Sequence, residues 1–261
     1  MKREEILQVQ KLSIRHNKGA LLVKDSSFEL ESRQCLGLIG ESGSGKSMTC
    51  KAILGLLSPK TFDVSGQILF HGDNLLERPQ AELNRIRGRR ITMVMQNPMT
   101  AFNPAFKVGN QVVETLCTHL SIRKREAYQM AVEQLQEMNL PRAETLMNSY
   151  PHTLSGGMLQ RVMIALALIV KPELIIADEA TTALDVSTQA IILDEFKQIK
   201  ATGISLLLVT HDFGVVAELA DKVLVMKAGT IIERGETQSL LLNPQEKYTK
   251  ELIEASFLRR R

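Results

Sequence analysis

The stretch QCLGLIGESGSGKSMTCKAILGLL, residues 34–57, decides the fold. It opens on QCLGLIG, a short apolar run of the kind that forms a buried strand, and closes on KSMTCKAILGLL, whose apolar spacing suits a helix. Between them Gly40, Gly45, Lys46 and Ser47 fit the pattern G-x-x-x-x-G-K-[S/T]. Glycines remove Cβ atoms, so the backbone can wrap a polyphosphate and turn several N–H groups inward. The following helix adds the positive end of its dipole. In such a loop Lys46 is expected to reach the β- and γ-phosphates, and the Ser47 hydroxyl to hold Mg²⁺. The candidate cradle is therefore Gly40, Glu41, Ser42, Gly43, Ser44, Gly45, Lys46 and Ser47, running on into Met48.

A phosphate loop alone leaves kinases, GTPases, helicases and transporters open. LIIADE, residues 174–179, narrows the choice, because it is an apolar strand that ends in two acids. Asp178 can organise Mg²⁺ through its water shell, and Glu179 is placed to polarise an attacking water. A GTPase would need N-K-x-D to read guanine, and the chain has none.

Other segments supply the frame. Residues 6–14, ILQVQKLSI, alternate apolar and polar as a half-buried strand does, and GQILFHG at 66–72 reads as a second strand. Strand and helix alternate after Ser155: ELIIAD (173–178), helix STQAIILDEFKQIKA, SLLLVTH (205–211), then helix again. KVLVMKAGTIIERG (222–235) predicts a hairpin around Ala228-Gly229. The LIIA and LLLV strands are apolar on both faces, so helices should cover the sheet on both sides. From about 98 to 150 the pattern is helical, with Ala127, Met130, Ala131, Leu135 and Met138 near one face of EAYQMAVEQLQEMNL. The expectation is an α/β core with parallel strands, interrupted by an all-helical insert.

With 261 residues, 44% of them hydrophobic, the chain can bury a sizeable core without staples. Cys35, Cys50 and Cys117 show no metal-binding or disulfide spacing and read as reduced thiols of a cytosolic protein. The net charge of +3 is too small to argue for a nucleic-acid partner, and the terminal RRR reads as a solvated tail. The start has no signal-peptide run, and the longest apolar run, VMIALALIV from Val162, falls far short of the roughly 20 residues of a membrane span. Work at a membrane would need other chains to cross it. His16, His71, His119 and His152 are scattered and form no metal site.

HTLSGGMLQR, residues 152–161, lies between the two phosphate-site elements. Ser155 can cap a helix there, while Gly156 and Gly157 let backbone N–H groups approach an anion. With this stretch the chain resembles the ATP-binding cassette ATPases over roughly residues 6 to 250. The resemblance implies a P-loop NTPase fold of the ABC-ATPase type: a RecA-like α/β core, an antiparallel β subdomain and a helical subdomain. It implies one nucleotide-binding domain over 1–261, with 1–97 and 160–261 as core and β subdomain and about 98–159 as the helical part. In this family Ser155, Gly156 and Gly157 would seat the γ-phosphate held by the opposite subunit. Gln96, in VMQNP, matches the glutamine that contacts Mg²⁺ and senses the membrane partner. Asp185, in TALD, matches the D-loop at the dimer seam, and His211 the histidine that contacts the γ-phosphate. Three positions depart from the family pattern. Met158 stands where Gln is usual, with Gln160 two positions on. Ala180 replaces the proline after the acids. His16 occupies the place of the aromatic that stacks on adenine.

The resemblance further implies ATP and Mg²⁺ as cofactors, a second and different ATPase subunit, two permease subunits and an extracytoplasmic substrate-binding protein, with this chain on the cytoplasmic face of the membrane. QNPMTAFNP, SYPHTLSGGMLQR and NPQEKYTKELIEA resemble the peptide- and nickel-import subgroup, and SGGMLQRVMIALAL and TTALD look closest to nickel or metal-chelate import cassettes of the D type. The peptide cassettes commonly add a cysteine-bearing extension that this sequence lacks after Ala255. The expectation is nickel or metallophore import, with dipeptide or oligopeptide import as the alternative. A DNA-repair ATPase would need a long coiled coil between Ser47 and Ser155, and no heptads occur there. A regulatory cassette without turnover is disfavoured by intact Lys46, Asp178, Glu179 and His211.

Overall fold

The structure, a computed structural model, describes residues 4–182 and 184–258. Ala183 of the TALD stretch and the terminal RRR lie outside the described residues. The chain begins β1 (Glu5–His16), β2 (Leu21–Glu31), β3 (Cys35–Ile39), α1 (Lys46–Ile53), β4 (Phe62–Phe70), β5 (Asp73–Asn74), α2 (Gln80–Ile86) and β6 (Ile91–Val94). Helices follow: α3 (Pro98–Ala101), α4 (Val108–Leu120), α5 (Lys124–Glu137), α6 (Ala143–Asn148) and α7 (Gly156–Ile169). Then come β7 (Leu174–Asp178), α8 (Val186–Ala201), β8 (Ser205–Thr210), α9 (Phe213–Leu219), β9 (Lys222–Lys227), β10 (Thr230–Glu236), α10 (Thr237–Leu242) and α11 (Lys247–Leu258). Contacts divide the chain into two compact units, one running to Leu83 and resuming at Phe196, the other spanning Asn84–Glu195. The expected helical stretch, 98–159, lies inside the second unit, which also holds β6, β7 and the start of α8.

In the first unit β2, β1, β4 and β5 pair antiparallel in that order. The alternation expected over residues 6–14 is real: Leu7, Val9, Leu12 and Ile14 are buried, and Gln10, Lys11 and Arg15 are exposed. The same unit holds β3 between β8 and β9, both parallel to it. All residues of β3 and β8 are buried, which is why both read as unbroken apolar runs. The hairpin from β9 to β10 turns at Ala228 and Gly229, with φ of 47° and 86°. Two positive φ values in succession match the right-handed twist of the flanking strands. Asp221, just before β9, accepts the Cys35 N–H at 2.8 Å and the Lys200 ammonium at 2.6 Å, which fixes the start of β3. Burial pushes the Cys35 thiol up to about 12; Lys200 lowers it and Asp221 raises it. Among the described residues Cys35, Cys50 and Cys117 form no disulfide.

In the second unit β6 and β7 pair in parallel, from Ile91 opposite Leu174 to Val94 opposite Ala177. No strand occurs between them in sequence. Ala127, Ala131 and Leu135 of α5 are buried, as their spacing predicts, while Met130 and Met138 are half-buried. Arg161 on α7 pairs with the Glu195 carboxylate, the side chains being 16% and 9% exposed, and also donates to the Met138 carbonyl. Burial raises the Glu195 pKa against the opposing pull of Arg161. Arg161→Ala strands that carboxylate, at a cost of about 3 kcal/mol. The check is a lower urea midpoint for unfolding; an unshifted midpoint would show that Glu195 is satisfied without its arginine.

Candidate active site

The phosphate loop belongs to the first unit. It leaves β3 at Gly40, passes Gly43 with φ 82° and Gly45 with φ 111°, and enters α1. Two of its glycines are demanded by their neighbours. A Cβ on Gly40 would lie 2.1 Å from the Met226 carbonyl oxygen, and one on Gly45 would meet Met226 Cε at 2.9 Å and the Leu22 carbonyl at 3.0 Å. The hairpin turn closes on the same loop, Gly229 N–H donating to the Ser44 carbonyl at 2.9 Å. Tyr248 of α11 accepts the Glu41 N–H on its hydroxyl at 3.2 Å. Lys46 is only 4% exposed, and its ammonium donates to the carbonyls of Gly40 and Glu41 at 2.6 and 2.9 Å. The buried Ser44 hydroxyl has no hydrogen-bond partner among the described residues. A buried ammonium, an unmatched buried hydroxyl and side-chain-free backbone suit a polyphosphate, so these residues fit ATP.

His211, directly after β8, shares a cavity of about 260 Å³ with Glu41 and Ser42 of the loop and Leu252, Ala255 and Ser256 of α11. His16 ends β1, half-buried, with its ring edge-on to Phe62 at 5.2 Å and its Nδ1 accepting the Lys18 N–H at 3.0 Å.

In the second unit β7 is buried along its length and delivers Asp178, 7% exposed. Glu179 follows in the left-handed region with φ 50°. A non-glycine residue held there costs on the order of 1–3 kcal/mol and marks an over-determined position. The Gln96 amide donates to Glu179 Oε2 at 2.9 Å, and the Thr182 hydroxyl to the same oxygen at 3.4 Å. Thr182 N–H closes the turn on the Glu179 carbonyl at 3.0 Å, with Ala180 buried inside it in place of the family's proline.

Ser155 caps α7, its hydroxyl accepting the Met158 N–H at 3.2 Å. Gly156 has open space around it, whereas a Cβ on Gly157 would lie 2.3 Å from Thr188 Cγ2. Gln160 is 1% exposed and donates to the Met95 carbonyl at 3.3 Å, so it faces inward and does not stand in for the residue replaced by Met158. Asp185 accepts from the Ser187 hydroxyl, the Thr188 N–H at 2.9 Å and the Thr188 hydroxyl at 2.7 Å, which holds its carboxyl far below the usual range. Three sets of expected residues are thus brought together: His211 with Glu41 and Ser42, Gln96 with Glu179, and Gly157 with Asp185 through Thr188. Tyr248, Phe62, Thr182 and Thr188 went unread in the sequence; only Thr188, three residues after Asp185, carries a local signal, that of a helix cap.

Residues 23–182, more than half of the chain, match the family model for ABC transporters. The chain belongs to the ABC transporter ATP-binding family. It is an ATPase with that family's P-loop fold. The chain is 46% identical over 233 residues to the metal-staphylopine import system ATP-binding protein CntD of Staphylococcus aureus, covering 89% of this chain and 86% of that one. It is 42% identical over 260 residues to the dipeptide transport ATP-binding protein DppD of Lactococcus lactis, covering 98% and 74%. Among solved structures, a dimeric post-hydrolysis state of the ATP-binding cassette MJ0796 bound to ADP and Pi superposes with a TM-score of 0.77 at 25% identity, over 88% of this chain and 98% of that one. Among the described residues no helix is long and apolar enough to cross a membrane, and no three His, Cys, Asp or Glu side chains gather as a metal site. A magnesium ion carried by phosphates, hydroxyl and amide oxygens needs no such cluster.

Gly40→Ala must displace the β9 backbone or the loop itself. The expected result is at least a tenfold loss of affinity for a fluorescent ATP analogue, about 1.4 kcal/mol, read by titration of the purified chain. Unchanged affinity would show that the cradle tolerates a shifted Gly40.

Proposed function

We propose that this ATPase powers a bacterial importer that takes up nickel or a metal–chelate complex. The observation that carries hydrolysis is Glu179, held at φ 50° with its carboxylate tied to Gln96. A carboxylate carried on a strained backbone at the end of a buried strand suits a general base that positions one water. In this reading Gly40 to Met48 bind the triphosphate, Lys46 counters its β- and γ-charge, and His16 with Phe62 meets the adenine. Ser47, Gln96 and Asp178 are the proposed Mg²⁺ ligands, and the ion supplies positive charge against the phosphates. His211 contacts the γ-phosphate and orders the water on which Glu179 acts.

The second half of each site is proposed to come from another cassette, whose Ser155, Gly156 and Gly157 present a capped helix N-terminus to the γ-phosphate and whose Asp185 lies at the seam. ATP then fastens two cassettes and hydrolysis releases them. Residues 98–159 are the proposed helical subdomain of one nucleotide-binding domain. Two permease subunits convert closure into alternating access, a substrate-binding protein delivers the cargo, and the chain sits on the cytoplasmic face of the membrane. The second cassette is a different chain.

Cargo rests on likeness. The 46% match to a metal-staphylopine import ATPase supports a metal chelate. The 42% match to a dipeptide ATPase over 98% of this chain supports the second reading, peptide import. Cells carrying Lys46→Ala should lose chelate-dependent nickel accumulation and keep dipeptide uptake; the reverse pattern selects the peptide reading.

Glu179→Gln should bind ATP as the wild type does and lose turnover by about 100-fold or more in the assembled transporter, measured by phosphate release. Near-normal release would remove Glu179 from its assigned role. Ser155→Ala is expected to slow turnover while leaving nucleotide binding by the isolated chain unchanged, since the serine serves the neighbour's phosphate.

A further inference from the structure

We infer that Thr188 is a positioning residue that ties the signature turn of a cassette to its own D-loop carboxylate. The inference rests on the proposed role of both segments at the seam between cassettes. Both branches of the Thr188 side chain are committed. Its hydroxyl donates to Asp185 Oδ2 at 2.7 Å while its own N–H donates to Asp185 Oδ1 at 2.9 Å. A β-branched side chain held at both N–H and hydroxyl by one carboxylate has no second χ1 rotamer that keeps those bonds. The methyl is therefore fixed in direction, and it points at Gly157. A Cβ built on Gly157 would lie 2.3 Å from Thr188 Cγ2, 3.3 Å from Oγ1 and 3.4 Å from Cβ. The methyl occupies the place where a side chain at residue 157 would be.

Two consequences follow from that geometry. Gly157 lacks a side chain because Thr188 fills the space, whereas Gly156, with nothing within 4 Å of its would-be Cβ, answers to a different demand. A displacement of the Asp185 carboxylate also carries the methyl, and the methyl pushes or releases the first turn of α7 that Ser155 caps. The phosphate seat and the D-loop acid of one chain then move as one body. Whatever the D-loop meets at the seam adjusts the seat offered to the neighbouring nucleotide.

The test is a set of variants in the full chain, assembled with its transporter partners. Steady-state kcat and KM for MgATP are read together with the affinity of the isolated chain for a fluorescent ATP analogue. Gly157→Ala overlaps the methyl and should lower kcat by about tenfold to 100-fold, as misplacing a catalytic contact by up to about 1 Å does, with nucleotide affinity unchanged. Thr188→Ser removes the methyl and keeps the hydroxyl, so Gly157→Ala with Thr188→Ser should recover most of the lost kcat. Thr188→Val keeps the methyl and deletes the bond to Asp185; it should lower kcat at unchanged nucleotide affinity, a split that general misfolding would not give. A double variant as slow as Gly157→Ala, or a Thr188→Val chain with wild-type kcat, overturns the tie. Ser155→Ala run alongside separates the two levels. If that variant turns over normally, the seam reading and the tie fall together. If it is slow and the double variant shows no recovery, only the tie is lost.

Discussion

The close approach of backbone to backbone around Gly40 is the constraint on which the nucleotide half depends. The Met226 carbonyl stands 2.1 Å from where a Cβ would be, so strand β9 can lie against the loop only because residue 40 has none. That contact aligns Gly229 to reach the Ser44 carbonyl and leaves Lys46 folded over the carbonyls of Gly40 and Glu41. A loop shaped this way can turn N–H groups inward with few side chains of its own to hold them. The shape is imposed from outside the loop: β9 and its hairpin turn arrive late in the chain, and Tyr248 of α11 later still.

That distance in sequence separates what was legible from what was not. The strand, loop and helix over residues 34–57 could be read because each is specified locally, by apolar runs and by glycines at positions of positive φ. The Ala228-Gly229 turn was legible for the same reason. The cap on α7 was read from Ser155 alone. The Tyr248 bond to Glu41, the Phe62 ring beside His16 and the Thr188 methyl on Gly157 are contacts across the fold or between motifs, with no periodic signature. Gln160 illustrates the limit from another side. Two positions along a helix turn a side chain by about 200°, so a glutamine at 160 cannot do the work of one at 158, and the structure buries it against the Met95 carbonyl. The division at Leu83 and Asn84 falls within α2, where no change of composition or pattern announces it.

Two of the three departures from the family pattern, Ala180 and His16, are accommodated by local exchange. Ala180 leaves the turn after Asp178 without a proline, yet Thr182 closes it from below by donating to the Glu179 carbonyl. Proline would stiffen this turn by restricting the unfolded chain; a hydrogen bond does it in the folded one. His16 offers less ring area than the usual aromatic, but it is braced by the edge of Phe62 and by the Lys18 N–H. In the proposed reading the adenine then meets this pair of rings where a single larger one would otherwise stand.

The two kinds of restraint in this chain differ in how easily they can be exchanged. Steric ones, such as Gly40 under Met226 or Gly157 under Thr188, cannot be relaxed without moving backbone or an interlocked side chain. Polar ones, such as Gln96 on the Glu179 carboxylate, are worth about 1.5–3 kcal/mol net, because water or another partner can replace either end. In the proposed cycle the nucleotide must arrive, be sealed and leave, so the groups that hold still and the groups that swap partners have to be different ones. In that reading glycine and packing shape the phosphate cradle, while hydrogen bonds from Gln96 and Thr182 hold the proposed base. A glutamine that lets go of Glu179 leaves the Thr182 hydroxyl on the same oxygen, so the carboxylate exchanges one partner for water while the backbone at φ 50° holds its place.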